Sequence, residues 1–109
     1  MKEKINVYLF WGLGCPHCEA AKLIFKKLLR DNGDYFNLVE KEVWNDIENE
    51  ELMNKVADKL NVPAETVPYI VIGNKVFGVL YDKKVQEDVI STIKDAYNNP
   101  NYEDVIASI

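Results

Sequence analysis

The run Ile5-Asn6-Val7-Tyr8-Leu9-Phe10-Trp11 constrains the chain more than any other segment. It is rich in β-branched and aromatic residues and almost continuously apolar, the pattern of a central strand covered on both faces. The rest of the chain must therefore supply a layer on each side. Gly12-Leu13-Gly14 breaks the run, and from Cys15 the period changes. Cys18, Ala21, Ile24, Phe25 and Leu28 then share one face, while Glu19, Lys22, Lys26 and Arg30 lie elsewhere. This predicts a helix running to about Asp31, stopped by Asn32-Gly33 because glycine tolerates the left-handed conformation that ends helices.

Downstream the signals keep alternating. Phe36 to Trp44 reads as a second strand, and Asp46 to Leu60 as a helix with acidic residues early, lysines late and Leu52, Val56 and Leu60 as its buried stripe. Val62 to Pro68 is a loop by its two prolines, leading into a hairpin of Tyr69–Ile72, the turn Gly73-Asn74, and Lys75–Val79. A last helix spans about Lys83 to Tyr97 with Val85, Val89, Ile93 and Ala96 inward, and Tyr102–Ile109 reads as one more short helical turn. The order β-α-β-α-β-β-α implies an α/β fold, a four-stranded mixed sheet with helices on both faces. A length of 109 residues is one domain's worth, with a core at about 5–97 and a tail at 98–109.

Composition narrows the function classes. Thirteen basic against eighteen acidic residues, a net charge of −5, leave no basic surface for nucleic acid. The apolar runs are far shorter than the roughly 20 residues that span a bilayer, so no membrane segment is expected. The start, Met1-Lys2-Glu3-Lys4, lacks the long apolar stretch of a signal peptide. Cytoplasmic location is the expectation as the chain is written, and extracytoplasmic location if an export signal has been trimmed away.

The two cysteines, Cys15 and Cys18, are separated by Pro16 and His17. A bridge across so short a loop constrains little of the unfolded chain, so a cross-linking framework does not explain them. A zinc site needs about four ligands, and two cysteines with one histidine do not supply them. Thiol chemistry fits better: a thiolate is the attacking species, and a helix N-terminus favours it. Pro16 at the first helical position costs no hydrogen bond. Cys15 is then the exposed nucleophile and Cys18, one turn further on, the resolving thiol. His17 adds positive charge or a hydrogen bond to that thiolate.

Phe10-Trp11-Gly12-Leu13-Gly14-Cys15-Pro16-His17-Cys18, with Thr66-Val67-Pro68 opening the third strand, resembles thioredoxins and glutaredoxins over roughly Ile5 to Tyr97. The stretch from Thr66 to Lys75, with Gly78 and Asp82, is similar to the glutaredoxin half, and Pro16-His17 to strongly oxidising bacterial disulfide-forming enzymes. The resemblance implies a thioredoxin-like fold and thiol–disulfide exchange with protein thiols or disulfides. It further implies a cis Pro68, a substrate groove lined by Thr66, Val67 and Pro68, Trp11 packed below the cysteines, and Tyr69 exposed beside the groove. No cofactor or metal is implied, and the partners are protein substrates of a monomer together with a recycling reductase or oxidase. The family alternatives are a glutathione-linked reductase, for which Asp82 would receive the glutathione amino group, and a redox-sensing or metal-carrying domain. Two departures stand out. Leu9 occupies the place of the buried aspartate of thioredoxins, leaving Glu42 as a substitute carboxylate, and Gly12 the place of a lysine common in glutaredoxins.

Overall fold

In the computed structural model, which describes residues 3–109, strand β1 (Ile5–Trp11) lies inside the sheet and splits its side chains between two cores. Met1 and Lys2, part of the start read above as lacking an export signal, lie outside the described residues. Ile5, Val7 and Leu9 face helices α1 (Pro16–Asn32) and α3 (Lys83–Asn98), meeting Ala21, Phe25, Leu28, Val89 and Ile93. Tyr8 and Phe10 face helix α2 (Ile47–Leu60), meeting Met53, Val56 and Ala57. The strand's unbroken apolar character thus reflects burial on both sides. Truncating Phe25, which is fully buried, to alanine would cost about 3–5 kcal/mol.

The sheet order is β2-β1-β3-β4, with β2 at Phe36–Glu42, β3 at Tyr69–Ile72 and β4 at Lys75–Phe77. β2 runs parallel to β1, with Ile5 opposite Phe36 and Trp11 opposite Glu42, which requires the α1 crossover between them. β3 is antiparallel to β1 and β4 to β3, giving a mixed four-stranded sheet in an α/β chain with three helices.

Several boundaries differ from the sequence reading for identifiable reasons. β2 ends at Glu42 rather than Trp44: Val43 N–H donates to the Trp11 carbonyl at 2.8 Å, and the Glu42 carboxylate then takes the N–H groups of Trp44 and Asn45, turning the chain. β4 stops at Phe77 rather than Val79. The buried stripe of α2 is Met53, Val56 and Ala57, with Leu52 and Leu60 half-buried at its margin. α1 ends on Gly33 in right-handed rather than left-handed conformation (φ −64°). Tyr69 is buried, not exposed, and its hydroxyl donates to the Val62 carbonyl at 2.7 Å.

The tail forms a turn over 105–108 rather than a helix, and it is the second cover on the α2 side of the sheet. Ile106 is buried against the core of Tyr8, Phe10 and Val71. Asp104 ties the tail down by accepting from Asn6 Nδ2 at 3.0 Å, Tyr8 OH at 2.7 Å and the N–H groups of Ile106 and Ala107. Desolvation opposes its charge, but the donors of Tyr8, Asn6, Ala107 and Ile106 outweigh it and hold the carboxyl below its ordinary range. Burial, with the Asp104 carboxylate beside it, pushes the Tyr8 phenol up.

Asp104→Ala leaves the buried Tyr8 hydroxyl without its acceptor, so it should cost about 1–3 kcal/mol in denaturant unfolding. The folded pKa is the lower one, so the Asp104 contribution is present above the ordinary value of 3.8 and fades as pH falls through and below it. Tail amides should accordingly lose protection, measured against their intrinsic exchange rates, in the variant and in the native chain at acid pH. Unchanged stability and tail protection would contradict this anchoring.

Candidate active site

The corner between β1 and α1 presents the cysteines. β1 hands the chain to a loop in which Gly14 takes φ +92°, a conformation side chains rarely adopt, and Cys15 N–H closes the turn on the Gly12 carbonyl at 3.1 Å. Cys15 is the N-cap of α1: its Sγ accepts from the Cys18 N–H at 3.2 Å, taking the place of the oxygen of an ordinary capping residue. Pro16 follows at the first helical turn, where a missing N–H costs nothing. Both cysteines are free thiols. Both cysteines are buried, Cys15 at 4 % exposure and Cys18 at 0 %, so Cys15 is not the exposed thiol expected from the sequence: the segment facing the helix start covers it.

Part of that cover comes from the segment before β3. The Val67–Pro68 peptide bond is cis. Cys15 Sγ lies 3.8 Å from the Val67 carbonyl oxygen, so residues 52 positions apart share the site. Pro68 is buried, Val67 half-buried and Thr66 exposed. Burial pushes the Cys18 thiol up to about 12, with the neighbouring Cys15 thiol adding to the effect and the Gly12 backbone opposing it. Cys18 therefore remains protonated across the physiological range.

Two aromatic residues not singled out from the sequence flank this corner. The Trp44 indole, 56 % exposed, lies so close over Gly12 that a Cβ there would collide with three ring atoms. Trp44, Thr66 and Val67 line a shallow cavity of about 250 Å³. On the other side Tyr81 OH is 2.9 Å from His17 Nδ1, and the two rings meet edge-on at 5.4 Å between centroids. Neither contact has a local sequence signal, because each joins segments remote along the chain.

The remaining expected residues each have structural partners. Trp11 packs against the α1 side of the core, its ring covered by the Lys22 ammonium. Asp82 is the N-cap of α3, accepting from Lys84 N–H at 2.8 Å. Glu42 is a loop clamp: it accepts from the N–H groups of Leu13, Trp44 and Asn45. Desolvation works against its charge, and the Leu13, Asn45 and Trp44 donors outweigh it, holding the carboxyl below its ordinary range. Leu9 is fully buried in the apolar core shared with α1 and α3.

No protein-family model, curated protein or solved structure matches the chain. No helix among the described residues is long and apolar enough to cross a membrane.

The raised Cys18 pKa makes the reduced chain sensitive to alkali. Stability from keeping that thiol protonated is complete below its ordinary value of 9.0 and is lost as pH rises towards about 12. Burial raises Tyr69 and Tyr102 as well, so the native slope has several sources. Denaturant unfolding of Cys18→Ser between pH 8 and pH 11 should show a shallower loss than the reduced native chain. Equal slopes would contradict the assignment.

Proposed function

We propose that the chain is a thioredoxin-like thiol–disulfide oxidoreductase acting on protein thiols and disulfides through Cys15 and Cys18. The observation that carries this reading is the setting of Cys15 Sγ, held between the Cys18 N–H at a helix start and the Val67 carbonyl of the facing segment. At the helix start the Cys18 N–H donates to that sulfur, and burial keeps Cys18 itself protonated. The pair is thereby divided into an attacking and a resolving thiol.

In the reducing direction, the Cys15 thiolate attacks one sulfur of a substrate disulfide. That S–S bond breaks, the other substrate sulfur leaves as a thiolate and takes a proton, and a Cys15–substrate mixed disulfide forms. Cys18 then gives up its proton and attacks Cys15 Sγ, closing the Cys15–Cys18 disulfide and expelling the second substrate thiolate. Two electrons pass from the dithiol to the substrate, and oxidation runs through the same steps reversed. Trp44, Thr66 and Val67 supply the exposed groove wall for an extended substrate segment.

The glutathione-linked reading has less support. Trp44 leaves no room for a side chain at Gly12, and the Asp82 carboxylate already serves as a helix cap. Among the described residues no group of three or more His, Cys, Asp and Glu is placed to hold an ion, so a metal-carrying role would rest on the two sulfurs of Cys15 and Cys18 alone.

Limited iodoacetamide at mildly acid pH should modify Cys15 well before Cys18, and Cys18→Ser should accumulate a mixed disulfide through Cys15 while Cys15→Ser accumulates little. Peptide mapping by mass spectrometry reads both. Preferential labelling of Cys18 would reverse the assignment of roles.

A further inference from the structure

Tyr81 has no part in the core, being 57 % exposed, yet its neighbours fix it in place. Leu80, immediately before it, is 2 % exposed in the α1–α3 core, and its carbonyl accepts from the Gln86 side-chain amide at 2.7 Å. Asp82, immediately after it, caps α3. A residue pinned on both sides and directed outward is suited to hold something, and what it holds is His17, by one hydrogen bond and one edge-on ring contact. His17 is the only histidine of the chain and stands between the two cysteines.

We infer that Tyr81 is a positioning residue for His17, and through it sets the balance between the Cys15–Cys18 dithiol and its disulfide. The inference rests on the exchange reading of the site. The Tyr81 hydroxyl either donates to Nδ1, which places the proton of the neutral imidazole on Nε2, or accepts from a protonated Nδ1, as it does when the ring is charged and carries a proton on both nitrogens. In the charged ring, and in the neutral tautomer that accepts from Tyr81, an Nε2–H donor of fixed orientation is retained on the residue between the two cysteines. An oriented donor favours the thiolate of the reduced form, and stabilising the reduced form makes the disulfide more oxidising. Without Tyr81 the exposed imidazole samples other rotamers, and that effect is averaged away.

The test combines two readouts on the full chain. Nuclear Overhauser contacts between the His17 and Tyr81 rings should be present in solution; their absence would overturn the positioning role directly. The native chain, Tyr81→Phe, His17→Ala and the double variant are then equilibrated with mixtures of reduced and oxidised glutathione. Tyr81→Phe keeps the ring and loses the hydroxyl. It should shift the equilibrium about three- to tenfold towards the disulfide, or about 15–30 mV more reducing for two electrons. The double variant should match His17→Ala, because Tyr81 acts only through His17. An unshifted Tyr81→Phe, or a double variant whose shift is the sum of the two singles, would overturn this inference while leaving exchange intact. If the native chain forms no Cys15–Cys18 disulfide in these mixtures, the exchange reading fails and the tuning role falls with it.

Discussion

β1 has no face towards water, and the arrangement of the site depends on that constraint. Its odd-numbered residues are locked by α1 and α3, its even-numbered ones by α2 and the tail. A strand gripped on both sides cannot shift its register by one residue without exchanging its two sets of side chains. The position where it ends, and hence where Gly12 and Cys15 begin the next helix, is therefore fixed by packing rather than by the loop. The site inherits its geometry from the core.

That inheritance explains why a sulfur can serve as a helix cap. Serine or aspartate would satisfy the Cys18 N–H more strongly, but neither could carry the exchange proposed above. The chain accepts the weaker cap at Cys15 and compensates with Pro16, the Gly12 turn and the Glu42 clamp on Leu13, Trp44 and Asn45. Cys18 sits one turn deeper in apolar surroundings, and its burial raises the energy of the second thiolate. One element thus offers a backbone N–H to the first sulfur and buries the second.

The elements with strong periodicity were legible in the sequence: β1, α1, the β3–β4 hairpin and α3 lie where their patterns put them, within a residue or two. What escaped notice is long-range. The end of β2 depends on a carboxylate folding back onto the next residues, and the α2 face on which of several similar apolar residues the sheet contacts. Asp104 reaches Asn6 across 98 positions, and Tyr81 reaches His17 across 64. Of the site, the cysteine pair was visible as spacing. Its near-complete cover, and the aromatic residues at its flanks, exist only once the chain is folded.

On the exchange role proposed above, the fold, not the C-P-H-C sequence alone, makes these thiols reactive. This is tested by the rate at which the reduced chain takes up the disulfide of a short cystine-bridged peptide at neutral pH, native and urea-unfolded, followed by mass spectrometry. The native chain should react at least about tenfold faster, pass through a Cys15–peptide adduct and end as the Cys15–Cys18 disulfide. A native chain that reacts no faster than its unfolded form would contradict it.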